Sequence, residues 1–494
     1  MEKALEIGKV SAAGSFQLFI GKAASTVILA VGAIILARLM LPAEYGLYSI
    51  ALIPAMMISL FQDWGVGSAM TKYIAHFRAE NKNEHLQDVV VAGVTFEVIT
   101  GLALSFLSLL LSGFIASTIF HRPESTPLIS TASITILSTS LLTASQSCFV
   151  GFERMKLNSL TNICQAIAKS VAAPLLVFLG YGALGATLGY TVSFIVSTII
   201  GLVTLYIIII KKIKGRNPRK TSTVETLRKM LHFGVPLSIS SIIGGFLVQF
   251  YAFLMAIYCT DAVIGNYQVA AQFATILTFF TVPISTVLFP AFSKINLGNE
   301  NELLQTIFAS SIKYTSLILV PATMALMILS KPMVGTLFGE KWAQAPFFLA
   351  LYVINNIFSV FGSLTLGSLL AGIGETKTRM KLSLITLAIG IPLATYLIPL
   401  TGIIGLILTT IIAGKPSLVT GLYWTRKKYK AKIDINSSIT ILVASIIAAT
   451  ITFLAINFIA YTYWMELCVG ILVFSTAYLI AAPILGAINK SDIN

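Results

Sequence analysis

Runs of about twenty apolar residues recur along the whole chain, and that recurrence leaves few folds open. The runs lie near 16–38, 46–69, 89–112, 127–149, 158–179, 184–210, 232–256, 264–289, 306–329, 346–370, 382–399, 402–424, 437–459 and 465–487. A helix rises about 1.5 Å per residue, so each run can cross about 30 Å of hydrocarbon, some with tilt. Helices are required because unpaired backbone groups are not tolerated in lipid. Only 11% of the 494 residues are charged, against about 25% in a soluble domain. That leaves too little polar surface for a water-soluble globule. The expected fold is an all-α integral membrane protein of about fourteen transmembrane helices. The first run is too long for a cleavable signal peptide, and further runs follow it. The cysteines (Cys148, Cys164, Cys259 and Cys468) lie in or beside helices without metal-type spacing.

A net charge of +14 suggests nucleic acid until its distribution is read. With the N-terminus in the cytoplasm, alternation leaves only Arg38, Arg122, Lys331 and Lys341 outside, and Lys22, Lys169, Lys313 and Lys415 within helices. The remaining basic residues fall on cytoplasmic segments. This positive-inside bias predicts a multi-pass protein of the cell membrane with both termini cytoplasmic. The dense runs Lys211 to Lys229 and Arg426 to Lys432 read as topology signals attracted to anionic headgroups, with a docking site as the other reading. Connections are too short to hold a folded catalytic domain outside the membrane. No nucleic-acid partner, metal or cofactor is expected.

Three pairs of segments suggest an internal repeat. Tyr45-Gly46-Leu47-Tyr48-Ser49-Ile50-Ala51 resembles Ile264-Gly265-Asn266-Tyr267-Gln268-Val269-Ala270, 219 residues on. Gly182-Ala183-Leu184-Gly185 resembles Gly402-Ile403-Ile404-Gly405, 220 on, and Arg154-Met155-Lys156-Leu157 returns as Arg379-Met380-Lys381-Leu382, 225 on. The offset covers an even number of helices, so both copies share one orientation. The expected organisation is a six-helix bundle at 1–210, a basic linker at 211–231, a parallel six-helix bundle at 232–424, and a basic loop with two extra helices at 425–494. Transporters built from such repeats carry substrate between the halves.

Several motifs then resemble a known family. Ala37-Arg38-Leu39-Met40-Leu41-Pro42-Ala43-Glu44-Tyr45-Gly46-Leu47-Tyr48 is one. Phe61-Gln62-Asp63-Trp64-Gly65-Val66-Gly67 with Lys72-Tyr73-Ile74 is another. The second half adds Ala262 to Ala270, Phe289-Pro290-Ala291, Leu337-Phe338-Gly339-Glu340-Lys341-Trp342 and Ala371-Gly372-Ile373-Gly374-Glu375-Thr376-Lys377. They resemble polysaccharide transporters (O-antigen flippase-like) of the multidrug/oligosaccharidyl-lipid/polysaccharide (MOP) exporter superfamily. The resemblance implies a MATE-like fold in a 12 + 2 helix plan and a monomer. It also implies that a lipid-linked oligosaccharide on polyprenyl or dolichyl (pyro)phosphate is flipped to the outer leaflet by alternating access. Implied partners are that substrate, membrane lipids and glycan-assembly proteins.

Charges and amides inside the runs are the candidate site. A charge at the bilayer centre costs about 2.5–3.5 kcal/mol on insertion scales, so such residues usually face a bundle interior or a wet cavity. Asn158, Asn162, Gln165 and Lys169 fall on one helix face, with Lys169 near mid-span. Lys22 shares a face with Ser15, Ser25 and Thr26, and Lys313 with Thr306 and Ser310. Arg38 ends the first helix. Lys415 has apolar neighbours three and four residues away and reads more readily as snorkelling. These five form a cationic set suited to an anionic headgroup. Asp63 and Glu97 are expected to pair with lysines or to couple transport to an ion. Gln249, Gln268, Gln272 and Asn356 suit either sugar hydroxyls or plain helix packing.

Other functions fit less well. A cation-coupled multidrug exporter of the same superfamily typically needs an acid on helix one or seven, where none is found. A flippase for the peptidoglycan lipid precursor is closer in chemistry. A membrane glycan polymerase or ligase would need a catalytic constellation, yet His76, His85, His121 and His232 are scattered, and no phosphate-binding loop followed by Lys-Ser/Thr occurs. The chain is not expected to be an enzyme.

Overall fold

In lipid an apolar helix face gains little by turning inward. Helices are held instead by close approach of small residues and by hydroxyls that bond across the contact. A computed structural model of the chain describes residues 2–80, 82–211, 223–277, 281, 288, 292–293, 301–459 and 462–488. It divides into two compact units, Met1–Ile257 and Tyr258–Asn494. Residues 212–222, half of the expected basic linker, and the Phe289-Pro290-Ala291 motif lie outside the described residues.

The first unit contains α1 (Glu2–Leu39), α2 (Pro42–Ser59), α3 (Val66–Ala79), α4 (Asn83–Phe114), α5 (Thr126–Gly151), α6 (Met155–Leu176), α7 (Gly182–Leu205) and α8 (Thr223–Tyr258, up to Ile257). At its centre is α5, packed against α2, α3, α4 and α7. Its apolar window is 61% buried, against 22% for that of α4. Serine and threonine on α5 and its neighbours make the crossings. Ser108 and Ser133 share a hydrogen bond of 2.7 Å, and Ser112 and Ser130 one of 2.9 Å. The Ser105 hydroxyl donates to the Ser133 carbonyl at 2.8 Å, and that of Thr198 to the Ser138 carbonyl at 2.7 Å. The far side of α4 leaves Phe106, Leu110 and Phe114 exposed, as a lipid-facing surface must be.

Along α6 lies α1. A β-carbon on Gly21 or Gly32 would overlap the side chains of Ser159 and Ser170. The room these glycines leave lets Ser159 donate to the Gln17 carbonyl at 3.0 Å and Ser170 to the Ile28 carbonyl at 2.9 Å.

The second unit contains α9 (Asp261–Ala274), α10 (Asn301–Ile328), α11 (Ser330–Leu337), α12 (Ala345–Val353), α13 (Ser363–Gly372), α14 (Thr376–Thr401), α15 (Ile403–Tyr429), α16 (Ile435–Ile459) and α17 (Tyr463–Ile484). A 3-10 stretch, Ile354–Phe361, continues α12. The pairs α14/α15 and α16/α17 pack closely, and α16 and α17 share a core with α10 through Val320, Ile441, Ala444 and Phe474.

Among the described residues ten helices are long and apolar enough to cross a membrane, or up to eleven when one bent pair counts as a span. This is a multi-pass membrane protein. Two of the expected runs are not single straight helices. The run 46–69 ends as α2 at Ser59, and α3 starts only at Val66. Trp64 (φ 47°) and Gly65 (φ 79°) are left-handed between them, and the Asp63 carboxylate accepts the Gly67 N–H at 2.6 Å. That motif therefore encodes a helix break and the cap of the next helix. The run 346–370 bends by 55° at Gly362, whose φ of 76° few side chains adopt.

Several joints recur at the spacing of the matched sequence segments. Leu41, before α2, has φ −76° and ψ 155°; Thr260, before α9 and 219 residues on, has φ −76° and ψ 154°. Gly182 (φ 50°, ψ −133°) and Gly402 (φ 61°, ψ −129°) occupy one unusual conformation at a spacing of 220. Glu153 and Gly374 are both left-handed. The Arg-Met-Lys-Leu pair, by contrast, is not equivalent: Arg154 precedes α6, whereas Arg379 lies a turn inside α14. A four-residue string is short enough to recur without sharing a position.

Gly32→Ala is expected to destabilise the chain by about 1–3 kcal/mol through overpacking against Ser170. Gly244→Ala, where a β-carbon meets nothing within 4 Å, is expected to cause no loss. Thermal unfolding of both variants in one detergent checks the contrast.

Candidate functional site

The polar face of α6 forms as its spacing predicts, and most of it is bound within the first unit. Asn162 donates to the Asn158 side-chain oxygen at 3.0 Å and accepts from Gln146 of α5 at 3.0 Å. Gln146 also reaches the Thr161 hydroxyl at 3.1 Å, and Gln165 donates to Ser193 of α7 at 3.2 Å. Lys169 differs. It is half-buried, and its ammonium lies 4.9 Å from the centre of the Tyr190 ring, with no hydrogen bond or ion pair among the described residues. A cation over an aromatic face is held by the ring quadrupole without losing its positive charge.

Lys22 is exposed on α1, while the hydroxyls on its face turn back to their own helix: Ser25 to the Gly21 carbonyl at 2.7 Å and Thr26 to that of Lys22 at 2.8 Å. Arg38 is exposed at the end of α1.

Glu97 of α4 is completely buried. Its carboxylate accepts from Ser140 of α5, whose hydroxyl also lies 2.8 Å from the Glu97 carbonyl. The neighbouring charged group is Asp63 rather than a lysine, so the two intramembrane acids of the first unit meet each other. Asp63 is fixed in place by its bond to the Gly67 N–H. Gln62, next to it, accepts from Thr139 of α5 at 3.2 Å. The break between α2 and α3 thus brings Asp63 to Glu97 of α4 and Gln62 to α5. Gln249 on α8 is half-buried.

In the second unit the sites are more dispersed. Gln268 is half-buried and Gln272 exposed on α9. Asn356 donates to the Val353 carbonyl at 3.3 Å. Lys313 is half-buried on α10, and its charge is among the influences on Asp434. The Asp434 carboxyl is held below the usual range, first by the Ser437 hydroxyl at 2.5 Å, then by backbone N–H groups at the start of α16, and then by Lys313. Lys415 donates to Asn355 at 3.0 Å and lies 3.2 Å from the centre of the Phe358 ring. It is therefore held by neighbouring side chains. Among the described residues no cluster of three or more His, Cys, Asp or Glu is placed to hold a metal.

Helix periodicity identifies a face but not what lies opposite, so Ser140, Gln146, Tyr190 and Asn355 were missed as partners. Asn266 carried a clearer signal, as a buried amide in a family-like motif. Its side-chain oxygen accepts the N–H groups of Gln344 and Ala345 at 3.1 and 3.0 Å, capping α12. Glu375 also sits in a motif. Lys428 bonds its carboxylate, with Tyr429 at 2.9 Å and Thr378 at 3.1 Å, and these bonds hold it below the ordinary carboxylate range. A carboxyl lowered on folding stabilises the fold above its unfolded value of about 4.5, and that stabilisation is lost as pH falls through the lowered value. Because the pair is solvent-screened, Glu375→Gln is expected to cost about 1 kcal/mol or less at neutral pH. The difference from wild type should close in acid, as read from unfolding temperatures at pH 7 and below pH 4.

Relatives share both sequence and fold with this chain. Residues 35–346, more than half of it, match the family model described as polysaccharide biosynthesis protein. A probable low-salt glycan biosynthesis flippase, Agl15 of Haloferax volcanii, is 21% identical over 269 residues; the match covers 54% of this chain and 57% of that protein's length. The lipopolysaccharide biosynthesis protein WzxC of Escherichia coli is 24% identical over 396 residues, covering 78% of this chain and 75% of that one. Among solved structures, the lipid II flippase MurJ in an inward closed conformation superposes with a TM-score of 0.75 at 19% identity, covering 94% of this chain and 98% of its own. An inward-facing multidrug resistance MATE family transporter of the MOP superfamily gives 0.65 at 18% identity, covering 82% and 94%. These likenesses show a fold shared with MOP-superfamily transporters. The chain belongs to the family described as polysaccharide biosynthesis protein.

Proposed function

We propose that the protein flips a lipid-linked oligosaccharide, carried on a polyprenyl or dolichyl phosphate or diphosphate, from the cytoplasmic to the outer leaflet by alternating access. The reaction serves polysaccharide or surface-glycan synthesis in the cell membrane, with both termini cytoplasmic and fourteen spans in a 12 + 2 plan. The observation that carries the reading is Lys169, a half-buried cation with no carboxylate partner among the described residues. Holding a charge there is costly. An anionic headgroup offsets that cost, because attraction between opposite charges is far stronger in low dielectric than in water. Lys22, Arg38 and Lys313 extend the cationic set. Sugar hydroxyls cannot cross hydrocarbon unaided, whereas the lipid tail remains in the bilayer throughout. The amides of Asn158, Asn162, Gln165, Gln249, Gln268, Gln272 and Asn356 supply polar contacts for the sugars. Asp63 and Glu97 are adjacent acids in an apolar setting, and they serve as the ion-coupling pair.

The test is transport of a fluorescent polyprenyl-diphosphate oligosaccharide in proteoliposomes across a series of proton and sodium gradients. Lys169→Ala is expected to slow flipping at least tenfold while the protein remains monodisperse and folded. Unchanged flipping in that variant would reject the cationic path. Glu97→Gln, which keeps the shape and the bond from Ser140, is expected to leave flipping insensitive to the gradient that drives the wild type. A retained gradient response would remove the acid pair from coupling.

A further inference from the structure

Within the second unit, a pocket of about 260 Å³ opens between α13, α14, α15 and the 3-10 stretch that continues α12. Its volume is below the roughly 300–1,000 Å³ of sites for drug-sized ligands, so it suits a headgroup rather than an oligosaccharide. Two cations line it, Lys415 and Arg379, and no carboxylate does. Asn355 takes one Lys415 hydrogen bond, at 3.0 Å, out of the three an ammonium can donate. The Arg379 guanidinium, exposed a turn inside α14, has no hydrogen bond or ion pair among the described residues. Most of the pocket hydroxyls are already bonded: Thr386 bonds Ser417 at 2.9 Å, Thr410 donates to the Ile407 carbonyl at 2.7 Å, and Ser383 to the Arg379 carbonyl at 3.2 Å. Free donor capacity is therefore concentrated on the two cations.

The space itself is bounded by glycines. A β-carbon on Gly367 or Gly414 would meet nothing within 4 Å, and both residues line the pocket. The pocket also has a clear direction. Arg379 lies near the end of the α14/α15 pair where α15 carries Arg426, Lys427 and Lys428. Lys415 lies fourteen residues before the end of α15, about 21 Å from that end at 1.5 Å per residue, and Arg379 about a turn in from it, so their long side chains reach the pocket from opposite ends. The cations thus run from headgroup level inward.

We propose that this pocket binds the phosphoryl headgroup of an anionic lipid, with Arg379 and Lys415 as its donors. A planar guanidinium supplies paired N–H groups to phosphate oxygens, and an ammonium acts as a point charge behind it. The lipid tail remains in the bilayer beside α14 and α15. The site goes beyond the flipping reading and does not need it, because a resident phospholipid would bind there in a protein that transports nothing.

The experiment titrates the purified full chain in neutral detergent with dioctanoyl phosphatidylglycerol, a short polyprenyl monophosphate and dioctanoyl phosphatidylcholine, following bound lipid by native mass spectrometry. Both anionic lipids are expected to bind, and the zwitterionic one at least tenfold more weakly. Arg379→Gln and Lys415→Gln are each expected to weaken anionic binding at least tenfold. Gly414→Leu fills the pocket without touching a charge and is expected to do the same, while Gly244→Leu, a glycine with open space elsewhere, leaves binding intact. Tighter binding of the polyprenyl phosphate would assign the site to the carrier lipid, and tighter phosphatidylglycerol to the bilayer. Equal binding of the zwitterionic lipid, or unchanged affinity in all three pocket variants, would overturn the proposal whether or not the protein flips glycolipids.

Discussion

Everything in the first unit depends on helix contacts made without a hydrophobic drive. Lipid is as apolar as a leucine face, so the contacts that hold α5 are small and polar. Hydroxyls of Ser105, Ser108, Ser112, Thr191 and Thr198 cross to backbone or side-chain oxygens on facing helices. Such bonds average about 0.6 kcal/mol each in membrane helices, so cohesion comes from their number and from the close approach that serine and glycine permit. The same property makes α5 the place where costly groups can be kept. Ser140 supports Glu97, Gln146 orders Asn162, and Thr139 holds Gln62 beside Asp63. An all-leucine α5 would fill the volume yet leave each of those groups without its partner.

What the sequence made legible follows from the length scale of each signal. Hydropathy averaged over a span reports a span, and the described residues of the apolar runs are largely helical. Averaging also conceals breaks. The 46–69 run is apolar enough to read as one helix, and only the local chemistry of Asp63-Trp64-Gly65, an acid cap beside left-handed residues, announces the interruption. Gly362 breaks its run in the same way, with no change in apolar content. Family-like motifs proved to encode such joints. Glu44 accepts the Leu41 N–H at the start of α2, Asn266 caps α12, and Glu375 ties the start of α14 to the end of α15.

Partners were less legible than faces. A spacing of three and four residues put Asn158, Asn162, Gln165 and Lys169 on one side of α6, which is a property of one helix. That Gln146 meets Asn162, Ser193 meets Gln165 and Tyr190 meets Lys169 is a property of three helices. Glu97 illustrates the same gap. Opposite charges lower each other's cost in lipid, so a lysine is the natural partner to expect, yet the nearest charged group is another acid. Chain order alone, with Asp63 just before α3 and Glu97 in the next helix, does not reveal that the break turns one toward the other.

The backbone repeat sharpens where function must be sought. Counting from the matched helix starts Met155 and Thr376, Lys169 of α6 corresponds to Gly390 of α14. Counting from Gly182 and Gly402, Lys415 of α15 corresponds to Ile195 of α7. The joints between helices are preserved across the two copies, while the intramembrane cations are not. A ligand can shift a conformational equilibrium only through a difference in its interaction with the two states. Two identically charged repeats would engage an anionic group alike, whereas charges present in one copy alone give such a group a preferred place in each. On the proposed reading, the recurring joints supply the breaks between helices, and the side chains that differ between the halves supply the selectivity.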